Sequence, residues 1–158
     1  DKGSAMFKRI LPYFFLLVLV FSLPQPGWTV EASNGFRGIT WGTPLSKLTG
    51  MVVADDSGQV KYYRRSGDSL SLGETELKRI SYGFYRDKFY SVLIEFEGKA
   101  NFEKARTHLL ATYGETAKIG STGTSYMWGT ADGASISLKY SETPQQGYVF
   151  FFNRIVAK

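Results

Sequence analysis

The stretch "LKRISYGFYRDKFYSVLIEFEG" (residues 77–98) decides the fold of this chain. Apolar and polar residues alternate along it on both sides of a turn at Arg86-Asp87-Lys88, as is typical of strands with one buried face. The apolar positions are Ile80, Tyr82 and Phe84 before the turn, and Tyr90, Val92, Ile94 and Phe96 after it. The stretch therefore predicts an antiparallel hairpin whose apolar face covers a helix.

That helix follows directly in the sequence, at "NFEKARTHLLATYG" (101–114). Asn101 is a favourable N-cap residue, and Gly114 is a typical residue to end a helix. Between them, apolar residues recur at helical spacing and predict one buried stripe. The stripe consists of Phe102, Ala105, Leu109 and Tyr113.

The remaining patterns surround this hairpin and helix with further strands. A short strand is predicted in "GFRGITWG" (35–42), and Thr43-Pro44 predicts a second, short helix that ends at Gly50. Strand patterns joined by an Asp55-Asp56-Ser57-Gly58 turn follow, and three more strands come after residue 120, around an Asp132-Gly133 turn. We therefore predict an α+β fold, an antiparallel sheet with two helices on one face.

The order of these elements also allows two tandem units, each a helix followed by a β-meander. An aromatic-glycine pair precedes an Asp-containing turn in each half, at Tyr82-Gly83 and at Trp128-Gly129. An internal duplication explains this, and so does the ordinary appearance of any meander with aromatic strands.

The first part of the chain has the pattern of a protein-targeting segment. Residues 1–5 resemble an expression-tag remnant, and Met6 to Ala32 have the basic, apolar and small-residue regions of a secretory signal peptide. The apolar run from Ile10 to Leu23 is 14 residues long, whereas a membrane-spanning helix needs about 20. We expect cleavage after Ala32, export to the periplasm or the medium, and a single domain over residues 33–158. An uncleaved anchor is the alternative, in which the leader would contact the membrane or join copies into an oligomer.

The composition limits which classes of partner the protein can bind and which covalent modifications it can carry. Without residues 1–32, Lys plus Arg falls from 19 to 16 and Asp plus Glu from 14 to 12, a mild positive surplus that could favour acidic partners. The basic residues are scattered rather than arranged as a stripe, which argues against nucleic acid as a partner. The chain has no Cys, so it forms no disulfide and is not a lipoprotein.

No catalytic or metal-binding constellation stands out. The chain has one histidine, His108, predicted at the boundary of the helix, and a transition-metal site normally needs two or more such ligands. Glu95 and Glu97 share the solvent-facing side of one strand. The turn at 55–58 lacks the further oxygen ligands of a calcium loop. We therefore predict that the protein is not an enzyme and has neither a metal nor a cofactor.

In architecture, the predicted order of elements over residues 40–153 resembles β-lactamase inhibitory protein and the small lipoprotein of the outer-membrane β-barrel assembly machine. It also resembles small exported bacterial proteins whose folded part starts with Trp-Gly-Thr-Pro, here residues 41–44. The chain lacks the disulfides of the inhibitor and the lipidated cysteine of the lipoprotein. The resemblance extends to the order of elements, and it assigns no functional residue.

The aromatic residues are the best lead to a function. Tyr and Trp are amphipathic and favour interfaces, and the chain has more of them than one core layer needs. The candidate partner-binding residues are Trp41, Tyr63, Tyr85, Tyr90 and Trp128. We predict a non-catalytic binding module for another protein or a glycan of the cell envelope. The alternative is a small-molecule or lipid carrier with a groove between the sheet and the helix at 102–113.

Overall fold

The computed structural model describes residues 34–114, 118–129, 133–156 and 158. The tag, signal peptide and cleavage site predicted for residues 1–32 lie outside the described residues, as does Asp132 of the predicted turn. In the described ranges, no helix is both long enough and apolar enough to cross a membrane.

The described chain consists of twelve strands, one 3-10 turn and one α-helix. The first half contains β1 (Gly35–Phe36), β2 (Ile39–Thr40), the 3-10 turn (Leu45–Lys47), β3 (Met51–Asp55), β4 (Val60–Arg65), β5 (Ser71–Leu72), β6 (Thr75–Glu76), β7 (Arg79–Tyr85) and β8 (Lys88–Glu97). The second half contains α1 (Lys99–Tyr113), β9 (Lys118–Ile119), β10 (Ser125–Gly129), β11 (Ala134–Ser141) and β12 (Gln146–Asn153).

Eight of these strands form one antiparallel sheet in the order β3-β4-β7-β8-β12-β11-β10-β9. This confirms the predicted α+β class and its antiparallel sheet. Each half of the chain supplies four strands, and the order is symmetric about the β8–β12 junction. However, Tyr82-Gly83 lies on β7, which is directly next to the junction strand β8. Trp128-Gly129 lies on β10, which is separated from the junction strand β12 by β11. These two pairs therefore do not occupy equivalent positions.

The prediction of two helices is wrong, because the described chain contains a single α-helix, α1. The segment after Thr43-Pro44 forms only a three-residue 3-10 turn. The backbone at the start of this segment forms hydrogen bonds with the start of β8 instead. Gly42 N–H donates to Phe89 O at 2.8 Å, and Phe89 N–H donates to Thr43 O at 2.9 Å. A peptide group that bonds to a neighbouring strand cannot also take part in a helical ladder.

Helix α1 ends as predicted but starts earlier. Its N-cap is Gly98 and its C-cap is Gly114, whose N–H donates to Leu110 O. Asn101 lies inside the first turn, so its assignment as the N-cap is wrong. Its side chain links neighbouring elements, because Nδ2 donates to Glu97 O and Oδ1 accepts from Glu76 N–H.

The helix covers one face of the sheet, which we call the core face. Phe102, Ala105 and Leu109 of the predicted stripe are buried. The Phe102 ring stacks on Tyr140 of β11, with ring centroids 5.0 Å apart. At the other end of the helix, Trp128 Nε1 donates to Gly114 O at 2.9 Å. Burying apolar side chains of this size stabilises the fold by about 1.5–3 kcal/mol each.

Short hairpins complete the cover of the core face. Phe36 of the β1–β2 hairpin contacts Phe151 at 5.3 Å between ring centroids. The same hairpin ties down the loop after β4, because Arg37 bonds to Asp68 at 2.6 Å and Asp68 accepts a hydrogen bond from the Tyr82 hydroxyl at 2.5 Å. Burial and the neighbouring Asp68 raise the pKa of Tyr82 well above its ordinary value.

The hairpin of residues 77–98 contains a feature that alternation alone does not predict. Its turn has two residues, Arg86 and Asp87, both with positive φ, as in the tight turns that suit twisted strands. The pairing then shifts from Phe84 opposite Phe89 to Gly83 opposite Ser91. Tyr90 is the extra residue of this β-bulge. The bulge places Phe89 in the core and moves Tyr90 to the opposite face. Strict alternation along the strand predicted instead that Tyr90 would face the core.

Candidate binding surface

The other face of the sheet, which we call the outer face, has no helix or hairpin on it in the described part of the chain. Three cross-strand rows of side chains on it run across five strands, as the strand registers show. From β7 towards β10 they are Arg79-Glu95-Tyr148-Lys139-Ser125, Ser81-Leu93-Phe150-Ser137-Met127 and Gly83-Ser91-Phe152-Ser135-Gly129. The middle strand, β12, thus carries an aromatic residue in every row.

Five of the aromatic residues on this face define what we call the outer aromatic band: Tyr85, Tyr90, Phe152, Phe150 and Tyr148. Phe150 and Phe152 stack with ring centroids 5.3 Å apart. The ring centroids of Phe152 and Tyr90 are 6.4 Å apart, and those of Tyr90 and Tyr85 are 6.2 Å apart. All five side chains are partly exposed. The band is therefore a set of aromatic rings that remain partly in contact with solvent.

Small residues separate the rings of the outer face. Ser81, Ser91, Ser135 and Ser137 point to this face, yet all four are buried. Ser91 is 0% exposed, so larger neighbours must lie over it. A Cβ atom on Gly83, opposite Ser91, would come within 3.0 Å of both the Tyr62 ring and a Val60 methyl group. The Tyr62 ring and Val60 therefore pack closely over Gly83 at the β4 side of the outer face.

The electrostatics of the band reflect its partial burial. Burial raises the pKa of the Tyr90 hydroxyl, and the neighbouring Tyr62 adds to this rise. The buried Ser91 Oγ has no hydrogen-bond partner among the described residues. At the turn end of the band, the Arg86 guanidinium lies 5.1 Å from the centre of the Tyr85 ring, a cation–π distance.

The opposite end of the outer face forms an open groove of about 740 Å³, the charged groove. Its lining includes Lys78, Arg79, Glu95, Glu97, Lys139 and Tyr148. Two ion pairs cross it, Arg79 with Glu95 and Lys78 with Glu97. The Glu95 contact raises the pKa of Arg79, and the Lys78 hydrogen bond lowers the pKa of Glu97. These contacts therefore favour the charged forms of Arg79 and Glu97.

Lys139 differs from the other cations of the charged groove. It is exposed and lies directly opposite Tyr148 in the β11–β12 pairing. Lys78 and Arg79 each have a carboxylate partner, whereas Lys139 has no ion pair among the described residues. One positive charge beside an aromatic ring is thus available to a ligand.

The structure separates the five sequence-predicted residues into two groups. Tyr85 and Tyr90 lie on the outer face, in the band. Trp128 is buried against the helix end, and Trp41 stacks on Phe89 with centroids 4.7 Å apart. Tyr63 packs edge-on against Phe84 on the core side. The predicted residues thus do not all come together, and their role in binding remains a prediction.

Sequence reasoning missed the central residues of this surface, namely Tyr148, Phe150, Phe152 and Lys139. The signal that could have found them is "YVFFFN" (148–153), in which both alternating sets of positions contain large apolar residues. A strand of this kind has apolar side chains on both faces, so one set must face away from the core unless a second layer covers it.

His108 lies where the sequence placed it, at the boundary of the helix. It is half-buried, and burial lowers its pKa. It lines an open depression of about 440 Å³ together with Glu74 and Glu103. Glu103 is paired with Arg106 at 2.6 Å. The described residues contain no group of three or more His, Asp or Glu side chains that could hold a metal ion.

No protein-family model, curated protein or solved structure matches this chain. The outer aromatic band and the charged groove are therefore the features of the molecule that bear on its function.

Proposed function

We propose that this protein is an exported, non-catalytic binding module that engages another macromolecule through the outer face of its sheet. The observation that supports this proposal is the outer aromatic band, five partly exposed rings on a face that no other described element covers. Contiguous apolar patches rimmed by polar residues are typical of interaction sites. Aromatic side chains also contribute much of the binding energy of protein interfaces.

The packing of the band suits it for recognition. Phe152 is in ring contact with both Phe150 and Tyr90, so ordering these side chains on binding costs little further conformational entropy. The charged groove and Arg86 flank the band at its two ends, which gives an apolar centre and a polar rim, the usual arrangement of an interface.

The proposed compartment is the cell envelope or the medium, on the basis of the leader sequence. The proposed partner is a protein or a glycan of that compartment, and the proposal requires neither a cofactor nor nucleic acid.

A second candidate function is that of a small-molecule or lipid carrier. The charged groove favours it, because about 740 Å³ is within the range of small-molecule sites, roughly 300–1,000 Å³. This groove lies on the outer face. The sequence predicts a carrier groove between the sheet and residues 102–113. In the structure, α1 packs directly on the sheet there through Phe102, Ala105 and Leu109.

The test is capture of a partner from an envelope extract of the source organism by the full chain and by matched variants. Phe150→Ser with Phe152→Ser removes the centre of the band. Val53→Ser is the control, because Val53 is 54% exposed and pairs with Tyr63 on the core side of the sheet.

We expect the same partner with the wild type and with the control, and its loss with the band variant. Circular dichroism would confirm that both variants fold. Equal capture by all three proteins would contradict the proposal, and co-purified lipid or small molecule without a macromolecular partner would favour the carrier.

A further inference from the structure

We infer that the partner of the outer face is an acidic amphipathic peptide segment, whose apolar side chains pack on the outer aromatic band and whose carboxylate binds Lys139. This inference rests on the proposed function and adds the chemistry of the partner. It makes Lys139 a residue that determines specificity, and Phe150 and Phe152 the residues that supply affinity.

The charge of the groove supports an acidic partner. Arg79 and Lys78 are neutralised by Glu95 and Glu97, which leaves the positive charge of Lys139 uncompensated among the described side chains. A carboxylate brought beside Lys139 would complete the third pair, whereas a cation there would be repelled. Charged groups of this kind mainly set which partner is accepted.

The spacing between Lys139 and the band matches a peptide side-chain pattern. Phe150 pairs with Ser137, and Lys139 is two residues along the same strand, so Lys139 and Phe150 are diagonal neighbours. Such neighbours are about 7–8 Å apart. Side chains one turn apart on a helix are separated by about 5–6 Å at Cβ. A segment with an apolar residue and an acidic residue four positions apart could therefore reach both at once.

The side-chain chemistry of the band favours a peptide over a glycan. Its centre is Phe150 and Phe152, with Leu93 and Met127 in the same row as Phe150. None of these four side chains has a hydroxyl or an N–H group to bond a sugar, whereas all four suit apolar side chains. Met127 is 52% exposed and unbranched, so it can adapt to the shape of a partner.

The test measures binding of two labelled synthetic peptides to the full chain by fluorescence anisotropy at low salt. The acidic probe is an amphipathic helical peptide with Leu and Glu four positions apart, and the matched basic probe has Lys in place of each Glu. We expect tighter binding of the acidic probe, and a decrease of about fivefold in its affinity with Lys139→Glu. High salt should reduce the difference between the probes.

Lys104→Glu is the control for net charge, because Lys104 is an exposed helix residue on the other side of the sheet, and it should leave the preference unchanged. Equal binding of both probes, binding of neither, or a preference that Lys139→Glu does not reduce would each overturn the inference. Lys139-dependent binding to phosphatidylglycerol vesicles but not to the acidic probe would also overturn it, by assigning the site to a membrane.

Failure of this inference can be distinguished from failure of the proposed function. Capture of an envelope partner that depends on Phe150 and Phe152, together with equal binding of the two probes, would leave the surface assigned and its acidic preference wrong. Capture that is independent of Phe150 and Phe152 would remove the proposed surface itself.

Discussion

The two faces of strand β12 carry similar residues and have different surroundings. Val149 and Phe151 point to the core face and are 0% and 1% exposed. Their immediate neighbours Tyr148, Phe150 and Phe152 point to the outer face and are partly exposed. The same kind of ring is thus sealed from water on one face by α1 and the β1–β2 hairpin, and is left accessible on the other.

Strand β8 shows the same contrast with different chemistry. Ile94 and Phe96 are buried on the core face, whereas Leu93, Glu95 and Glu97 face outward and become more polar towards the charged groove. Burial of aromatic residues therefore explains stability only on the core face. On the other face, aromatic residues in contact with water do not contribute in this way, and such residues are typical of interaction sites.

The largest difference between the faces should appear in a pair of Phe→Ala substitutions on β12. Phe151→Ala should lower the free energy of unfolding by about 3–5 kcal/mol, because it leaves a cavity in the core. Phe150→Ala, one position away, should cost only about 1 kcal/mol, because its ring is already partly solvated. Chemical denaturation measures both, and equal losses would mean that the outer face is buried in the native protein.

Two glycines of the outer face differ in how closely their surroundings are packed. Gly83→Ala should destabilise the protein by up to about 3 kcal/mol, since the new methyl group would meet Ser91 and the Tyr62 ring. Gly129→Ala, in the same cross-strand row, should be close to neutral, because no described atom lies within 4 Å of the new Cβ. The paired unfolding curves report which side of the outer face is tightly packed, and an unchanged stability in Gly83→Ala would contradict the close packing of Tyr62 and Val60 over Gly83.

The polar network behind the core face should make stability depend on pH. Tyr82→Phe removes the hydrogen bond to Asp68 and should cost about 1.5 kcal/mol at neutral pH. The pKa of Tyr82 is raised in the folded state, so the unfolded chain loses this proton first as pH rises through about 10.

The stabilisation from Tyr82 is therefore complete below pH 10 and decreases above it. Unfolding free energies measured between about pH 8 and 11.5 should converge for the wild type and Tyr82→Phe as pH rises. Parallel curves over this range would show that Tyr82 titrates normally in the folded protein.

The smallest effect on stability is expected at Lys139. Lys139→Gln should change the free energy of unfolding by less than about 0.5 kcal/mol, because the side chain is exposed and has no ion pair among the described residues. A thermal or chemical denaturation curve checks this. A clear loss of stability would mean that Lys139 already has a structural partner, and its availability to a ligand would then be in doubt.

Local patterns predicted most of the fold. Alternation in residues 77–98 gave the central hairpin, and helical spacing together with Gly114 gave α1 and its end. The second helix was wrong because Thr43-Pro44 carries a sound start signal, whereas the hydrogen bonds to Phe89 that override it come from residues distant in sequence. The bulge at Tyr90 depends on cross-strand register, which alternation along one strand does not contain.

The candidate surface could be predicted only in part. The excess of aromatic residues pointed to an interface, and two of the five predicted residues, Tyr85 and Tyr90, lie on the outer face. Tyr90 reaches that face only because of the bulge. Phe150 and Phe152 were not singled out, because "YVFFFN" is apolar at nearly every position and does not reveal which set faces the core. That assignment depends on the position of β12 in the sheet, beneath α1 and between β8 and β11.

Hydroxyl-radical footprinting with mass spectrometry tests the division between the two faces most directly, because it compares chemically identical rings on one strand. In the free full chain, Phe150 and Phe152 should be oxidised much faster than Phe151. When the captured envelope partner is added, the labelling of Phe150 and Phe152 should fall towards that of Phe151. Equal protection of all three rings in the free protein, or unchanged labelling of Phe150 and Phe152 in the complex, would contradict the assignment of the outer face as the binding surface.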